Sequence, residues 1–120
     1  MKIAVSSQNL HTITGHAGRC RKFWIYEIEE KRVASKALLE LPLAQRFQAC
    51  APDRAHPLDR VNVLITGGMK TRLHDNLMQK GILAVSTTET DPDRAVAAWL
   101  DGDLETVPPQ VQTLPEILEI

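Results

Sequence analysis

The sequence predicts an α/β domain built on a mixed five-stranded sheet with helices on both faces. Three observations carry that expectation. The chain has 120 residues and 43% hydrophobic content, enough for one compact domain with its own core. Short apolar runs, most of them β-branched, alternate with segments whose apolar residues recur every three or four positions. Glycine and proline punctuate both kinds of segment where the chain would have to turn.

Taken in order, Ile3-Ala4-Val5 reads as a buried first strand ending at Ser6-Ser7. A polar loop with Gly15 and Gly18 then runs from Gln8 to about Cys20. Phe23-Trp24-Ile25-Tyr26-Glu27-Ile28 is aromatic and β-branched, which suits a pleated surface. Glu29-Glu30-Lys31 makes a tight turn, and residues 32–41 return as the hairpin partner. Pro42 opens a short helix that carries Leu43, Phe47, Cys50 and Ala51 on one face, and Pro52 ends it. After a proline-punctuated loop, Val61-Asn62-Val63-Leu64-Ile65-Thr66 reads as a strand covered on both faces.

Gly67-Gly68 turns the chain into a helix over 69–80, where Met69, Leu73 and Leu77 repeat every four residues and Gly81 caps the end. A strand follows at residues 82–85. Thr90-Asp91-Pro92 supplies an N-cap and a first-turn proline for a last helix. That helix buries Ala95, Val96, Trp99 and Leu100 and stops at Gly102. Residues 1–104 form the expected domain, and 105–120 an extended or flexible tail. The second half is a βαβα unit, which crosses over right-handed into a parallel pair. The resulting three-layer topology resembles the ribonuclease H-like architecture.

Fourteen basic and fifteen acidic residues leave a net charge of −1, which argues against nucleic acid or an anionic membrane as the main partner. No apolar run approaches the ~18 residues that span a bilayer. Met1-Lys2 leads straight into a strand pattern, so a cytoplasmic location is expected. In that reducing compartment Cys20 and Cys50 are free thiols or soft metal ligands.

The loop after the first strand concentrates the chemistry, holding His11, His16 and Cys20 together. In open α/β sheets, ligands bind outside the carboxyl ends of the parallel strands, which is where this loop begins. Imidazole and thiolate suit iron–sulfur clusters, zinc and copper. Gly15 and Gly18 let the backbone bend around a bulky ligand at His16. Arg19 and Arg21 either complement an anionic cluster or depress the pKa of Cys20. The plainer reading is a glycine-containing loop whose histidine and cysteine hold no metal, with His11 simply exposed.

Gly67-Gly68 is a second candidate, because backbone N–H groups at a helix start can approach an anion. A tight turn explains the same glycines equally well, and the spacing fits neither a Walker nor a dinucleotide motif. His56, next to Pro57, can swing toward the crevice, although solvent is its default environment. His74 reads as a boundary residue, Cys50 as core, and Trp24 and Trp99 as packing. The first strand carries no acid for divalent-metal hydrolysis, and neither a Gly-x-Ser-x-Gly nor a His-Glu-x-x-His pattern occurs. Catalysis is therefore not expected.

Several segments together resemble the dinitrogenase iron–molybdenum cofactor biosynthesis family. They are Met1-Lys2-Ile3-Ala4-Val5-Ser6-Ser7, Gly15-His16-Ala17-Gly18-Arg19-Cys20, Phe23-Trp24-Ile25-Tyr26-Glu27, Val63-Leu64-Ile65-Thr66-Gly67-Gly68 and the stretch from Ala95 to Gly102. The resemblance implies a ribonuclease H-like fold that holds a metallocluster and hydrolyses nothing. The family's loop histidine falls on His16, with Gly18 and Arg19 matching and Cys20 matching a cysteine of some members. Ala17 replaces the usual aromatic, and His56 stands alone where many members are histidine-rich, so His16 and Cys20 carry the expected binding.

The implied role is a small carrier of an iron–molybdenum cofactor or its iron–sulfur precursor. Its partners would be an assembly scaffold, a cofactor-assembly protein or apo-nitrogenase. One or two protein ligands keep such cargo exchangeable, while the Gly67-Gly68 amides and Arg19 would bind anionic sulfides or a carboxylate. The alternative is a metal-free interaction module that docks on a nitrogenase subunit or regulator through the acidic tail.

Overall fold

All five expected strands form, and a sixth joins them. The structure, a computed structural model, describes residues 1–109. In chain order the elements are β1 (Lys2–Ser6), β2 (Lys22–Glu29), β3 (Arg32–Glu40), β4 (Val63–Thr66), α1 (Thr71–Gln79), β5 (Leu83–Thr87), α2 (Pro92–Asp101) and β6 (Thr106–Val107). They build one mixed sheet in the order β3-β2-β1-β4-β5-β6. β1, β4 and β5 run parallel, whereas β2, β3 and β6 each pair antiparallel with the preceding strand in the chain.

The alternation of side chains across the pleat divides the core in two. Ala4, Leu64 and Ala84 point to one face, where Leu77 of α1 and the buried Met69 cover them. Ile3, Val5, Val63, Ile65 and Val85 point to the other, against Ala95 and Val96 of α2, with Trp99 and Trp24 at the margin. One helix per face follows, as the apolar runs of β4 and β5 predict. The ends of the helices are also set locally. Asp91 accepts the N–H of Arg94 at 3.1 Å, Pro92 fills the first turn of α2, and Gly102 leaves it with φ 78°. Gly81 follows α1 with φ 82°.

The hairpin turns at Glu30 and Lys31, both left-handed at φ 51° and 64°, the geometry that matches the twist of the flanking strands. A register shift between Glu27 and Ile28 bends the outer strand. Lys36 donates to Asp93 at 2.9 Å, as does the Tyr26 hydroxyl at 2.6 Å, which ties the hairpin to α2. The bulge and the lysine both guard β3 against pairing with another chain.

Two expectations are corrected. The sheet has six strands because Ser86 and Thr87 pair with Val107 and Thr106, within the stretch read as tail. Two residues are too few to show a period in sequence. The rest of the expected tail, 110–120, lies outside the described residues. The helix after Pro42 is instead two single 3₁₀ turns, Leu43–Gln45 and Phe47–Ala49, with Arg46 extended between them (φ −58°, ψ 146°). The span between two prolines is short for an independent helix, which needs roughly 12–15 residues. Its supposed stripe also finds no common partner, since Leu43 is 58% exposed while Phe47 packs edge-on against Phe23.

Candidate functional site

The loop between β1 and β2 is pinned from below. The Thr14 carbonyl accepts from Ser6 Oγ at 3.1 Å, Thr66 Oγ1 at 3.0 Å and the Gly67 N–H at 2.9 Å. The Ile13 N–H donates to Thr90 O at 2.8 Å and that of Ala17 to Gly68 O at 3.1 Å. The Arg19 and Cys20 amides both close on the His16 carbonyl at 3.1 Å, making one turn of residues 16–20. The loop is therefore tied to the sheet at the carboxyl ends of β1 and β4, the place expected for a ligand.

Above this loop lies an open cavity of about 220 Å³. His16, Arg19 and Cys20 line it together, joined by Arg21, Leu43 and Arg46, and none of its lining residues is acidic. The predicted pair is thus on one cavity, but its members differ. His16 is exposed. Cys20 is only 2% exposed, and its Sγ donates to the Lys22 carbonyl at 3.1 Å. Burial raises its pKa, so the neighbouring arginines do not make it a thiolate, contrary to one of the sequence readings. Iodoacetamide at pH 7.5 should accordingly label the half-buried Cys50 at least about ten-fold faster than Cys20, because the thiolate is the reactive form. Peptide mass mapping over time checks this, and equal rates would refute the buried thiol.

The glycines play a different part from the one expected of anion donors. Gly18, Gly67 and Gly68 do not line the cavity. Gly67 donates its N–H to Thr14, and the Gly68 N–H is directed at Thr66 Oγ1 at 3.4 Å. A Cβ on Gly67 would stand 3.1 Å from both the Thr14 carbonyl oxygen and Gly15 Cα, so glycine is needed for close approach of the loop. The Gly18 carbonyl accepts from the Gln48 N–H at 3.0 Å, which draws the second 3₁₀ turn toward the site.

His56 is corrected most sharply. It is 9% exposed, away from solvent and lining a separate small cavity. Its Nε2 lies 2.7 Å from the Gln45 carbonyl and its Nδ1 accepts the Leu58 N–H at 3.1 Å, which fixes the neutral tautomer with the proton on Nε2. The ring stacks on Phe47 with centroids 4.5 Å apart. Burial, foremost, lowers its pKa. With both nitrogens engaged it holds the 3₁₀ segment in place and has no lone pair for a metal. His11 is exposed, and His74 Nδ1 lies 3.0 Å from its neighbour Asp75. Among the described residues no three His, Cys, Asp or Glu side chains gather as a metal site.

Arg46 and Leu43 were missed by the sequence reading. In the helix that does not form, Arg46 would border the apolar stripe, three residues after Leu43 and four before Cys50, and no motif marks it.

Fold and site together define a small mixed α/β domain with an open, basic cavity at the rim of its sheet. The chain belongs to the dinitrogenase iron-molybdenum cofactor family, whose model matches residues 1–102, and so is a nitrogenase cofactor-related protein. An uncharacterised protein of Methanocaldococcus jannaschii is 28% identical over 107 residues, which are 88% of this chain and 90% of that one. A solved structure from the same organism, described as a candidate dinitrogenase, superposes with a TM-score of 0.70 at 18% identity, covering 91% of this chain and 96% of the other. The apo form of the orange protein from Desulfovibrio gigas gives 0.66 at 19% identity, covering 90% and 93%. These two likenesses show the fold. No helix among the described residues is long and apolar enough to cross a membrane.

Proposed function

We propose that this protein carries an iron–sulfur or iron–molybdenum cluster as cargo at the His16 cavity and passes it to an assembly scaffold or to apo-nitrogenase, without catalysing a reaction itself. One observation carries the reading: the exposed His16 lines a cavity whose other charged lining residues are all arginines. A sulfide-rich anionic cluster wants that combination, a borderline donor for metal and positive charge for sulfide. A single protein ligand also leaves the cargo free to exchange, whereas a closed four-ligand set would trap it. Cys20 can become the second ligand only if the cluster itself displaces its proton, since burial opposes the free thiolate. The strand order β3-β2-β1-β4-β5, with β2 antiparallel to β1, supports the ribonuclease H-like reading, and residues 1–104 supply all but its edge strand.

The test is anaerobic mixing with isolated cofactor or precursor, followed by gel filtration, iron analysis and EPR. Iron should co-elute with the protein, and His16→Ala should lower the bound amount at least about ten-fold, a loss that even a residue supporting a ligand can cause. Iron that fails to co-elute, or that binds His16→Ala undiminished, refutes the carrier. Capture of a nitrogenase subunit by a protein that binds no iron would establish the metal-free interaction module in its place.

A further inference from the structure

Three arginines from separate parts of the chain line the cavity. Arg19 comes from the site loop, Arg21 from the entry to β2, and Arg46 from between the two 3₁₀ turns. In a chain whose net charge is −1, this is a marked local excess of positive charge with no carboxylate in the lining. Arg21 is braced by its Nε donating to the Leu41 carbonyl at 2.8 Å, and Arg46 by its Nε donating to Leu43 O at 2.9 Å. Bracing at Nε fixes each fork and leaves the terminal nitrogens as donors. Arg21 is ion-paired with Glu40 at 3.6 Å, whereas among the described residues Arg19 and Arg46 have no acidic partner within ion-pair distance.

Nothing in this arrangement requires a metal. Guanidinium forks match the oxygens of tetrahedral oxyanions. Thr14 and Gln8, also in the lining, add neutral polar groups.

We infer that the cavity binds small doubly charged oxyanions of the phosphate and sulfate class, and that such ions compete with cluster cargo. Only the competition rests on the carrier reading; the oxyanion site stands on the arginines. A free ion and the phosphoryl group of a nucleotide share this chemistry, so the experiment separates them.

Titrations of the full chain with inorganic phosphate, sulfate and ADP are followed by ¹H–¹⁵N NMR, with sodium chloride at matched ionic strength as reference. Phosphate should shift the amides of residues 14–21 saturably. Arg19→Gln and Arg46→Gln should each weaken that binding at least about five-fold, on the scale of a charge-assisted hydrogen bond. Arg72→Gln, on α1, should leave it unchanged. Tighter binding of ADP identifies a nucleotide as the source, and equal or weaker binding the free ion; either upholds the site. Shifts reproduced by chloride, or insensitive to both arginine variants, overturn it. The same spectra report whether Arg46→Gln is folded, and the exposed Arg19 carries the test if it is not.

For the competition, phosphate at saturating concentration should cut co-eluting iron at least about five-fold. Unchanged iron overturns that part. Phosphate saturation without any cluster binding refutes the carrier reading alone, whereas cluster binding without phosphate saturation refutes this inference alone.

Discussion

Gly67→Ala is expected to destabilise the protein by about 2 kcal/mol and to lift the site loop off the sheet. The added Cβ would meet Gly15 Cα and Thr14 O at 3.1 Å and Thr14 C at 3.3 Å. All three are backbone atoms, so no side-chain rotation relieves the contact. Overpacking of this kind costs roughly 1–3 kcal/mol. Relief by moving the loop weakens the three hydrogen bonds that converge on the Thr14 carbonyl, each worth about 0.5–1.5 kcal/mol. For a chain of this size a loss of that magnitude lowers Tm by something near 8 °C. Amide exchange at Thr14 and Ala17 should quicken as well, because their acceptors lie across the disturbed junction at Ser6 and Gly68. Alanine at Gly15 meets nothing within 4 Å, and at Gly18 nothing nearer than 3.7 Å, so both should melt near wild type. If Gly67→Ala melts with them, close approach is not what the double glycine is for.

That contrast shows what the sequence can and cannot specify. Gly67-Gly68 announces a constraint, but whether the constraint serves an anion or a neighbouring strand of chain depends on where residues 14–15 come to lie. The contact partner is more than fifty positions away and leaves no local signal. The sheet is legible for the opposite reason. β1, β4 and β5 are buried on both faces and read as continuous apolar runs, and α2 carries its own proline, aspartate and glycine signals at its ends. The segment after Pro42 misleads because its apolar spacing is helical by accident. Phe47 answers to Phe23 and His56, while Leu43 lies at the cavity rim. Misreading that segment also hid Arg46, whose place in the cavity depends on the extended backbone between the two turns. Residue type, spacing and the family resemblance pointed to His16 and Cys20, and both line one cavity. Their inequality, one exposed and one sealed, is a matter of packing that only coordinates reveal.

His56 offers the second large effect. His56→Ala removes a ring stacked on Phe47 and leaves the buried Leu58 N–H without its acceptor and the Gln45 carbonyl without its donor. Truncating a packed ring and stranding a buried donor together should cost about 3 kcal/mol at pH 7.5. The wild-type protein should also show a distinctive pH dependence. Burial lowers the pKa of folded His56, whereas the unfolded chain titrates near the ordinary value of about 6.5. Above that pH both states are neutral at this residue and its contribution is complete. As pH falls below about 6.5 the unfolded chain takes up a proton that the folded protein still refuses, so stability declines toward the folded pKa, by up to roughly 1.4 kcal/mol per pH unit. Urea midpoints at pH 7.5 and 5.5 measure both effects, and His56→Gln should flatten the difference between them. A metal ligand would behave in the reverse way: its loss would deplete bound iron in the carrier assay and leave the metal-free melting curve where it was. If His56→Ala does that, the two hydrogen bonds on its ring are not what holds it.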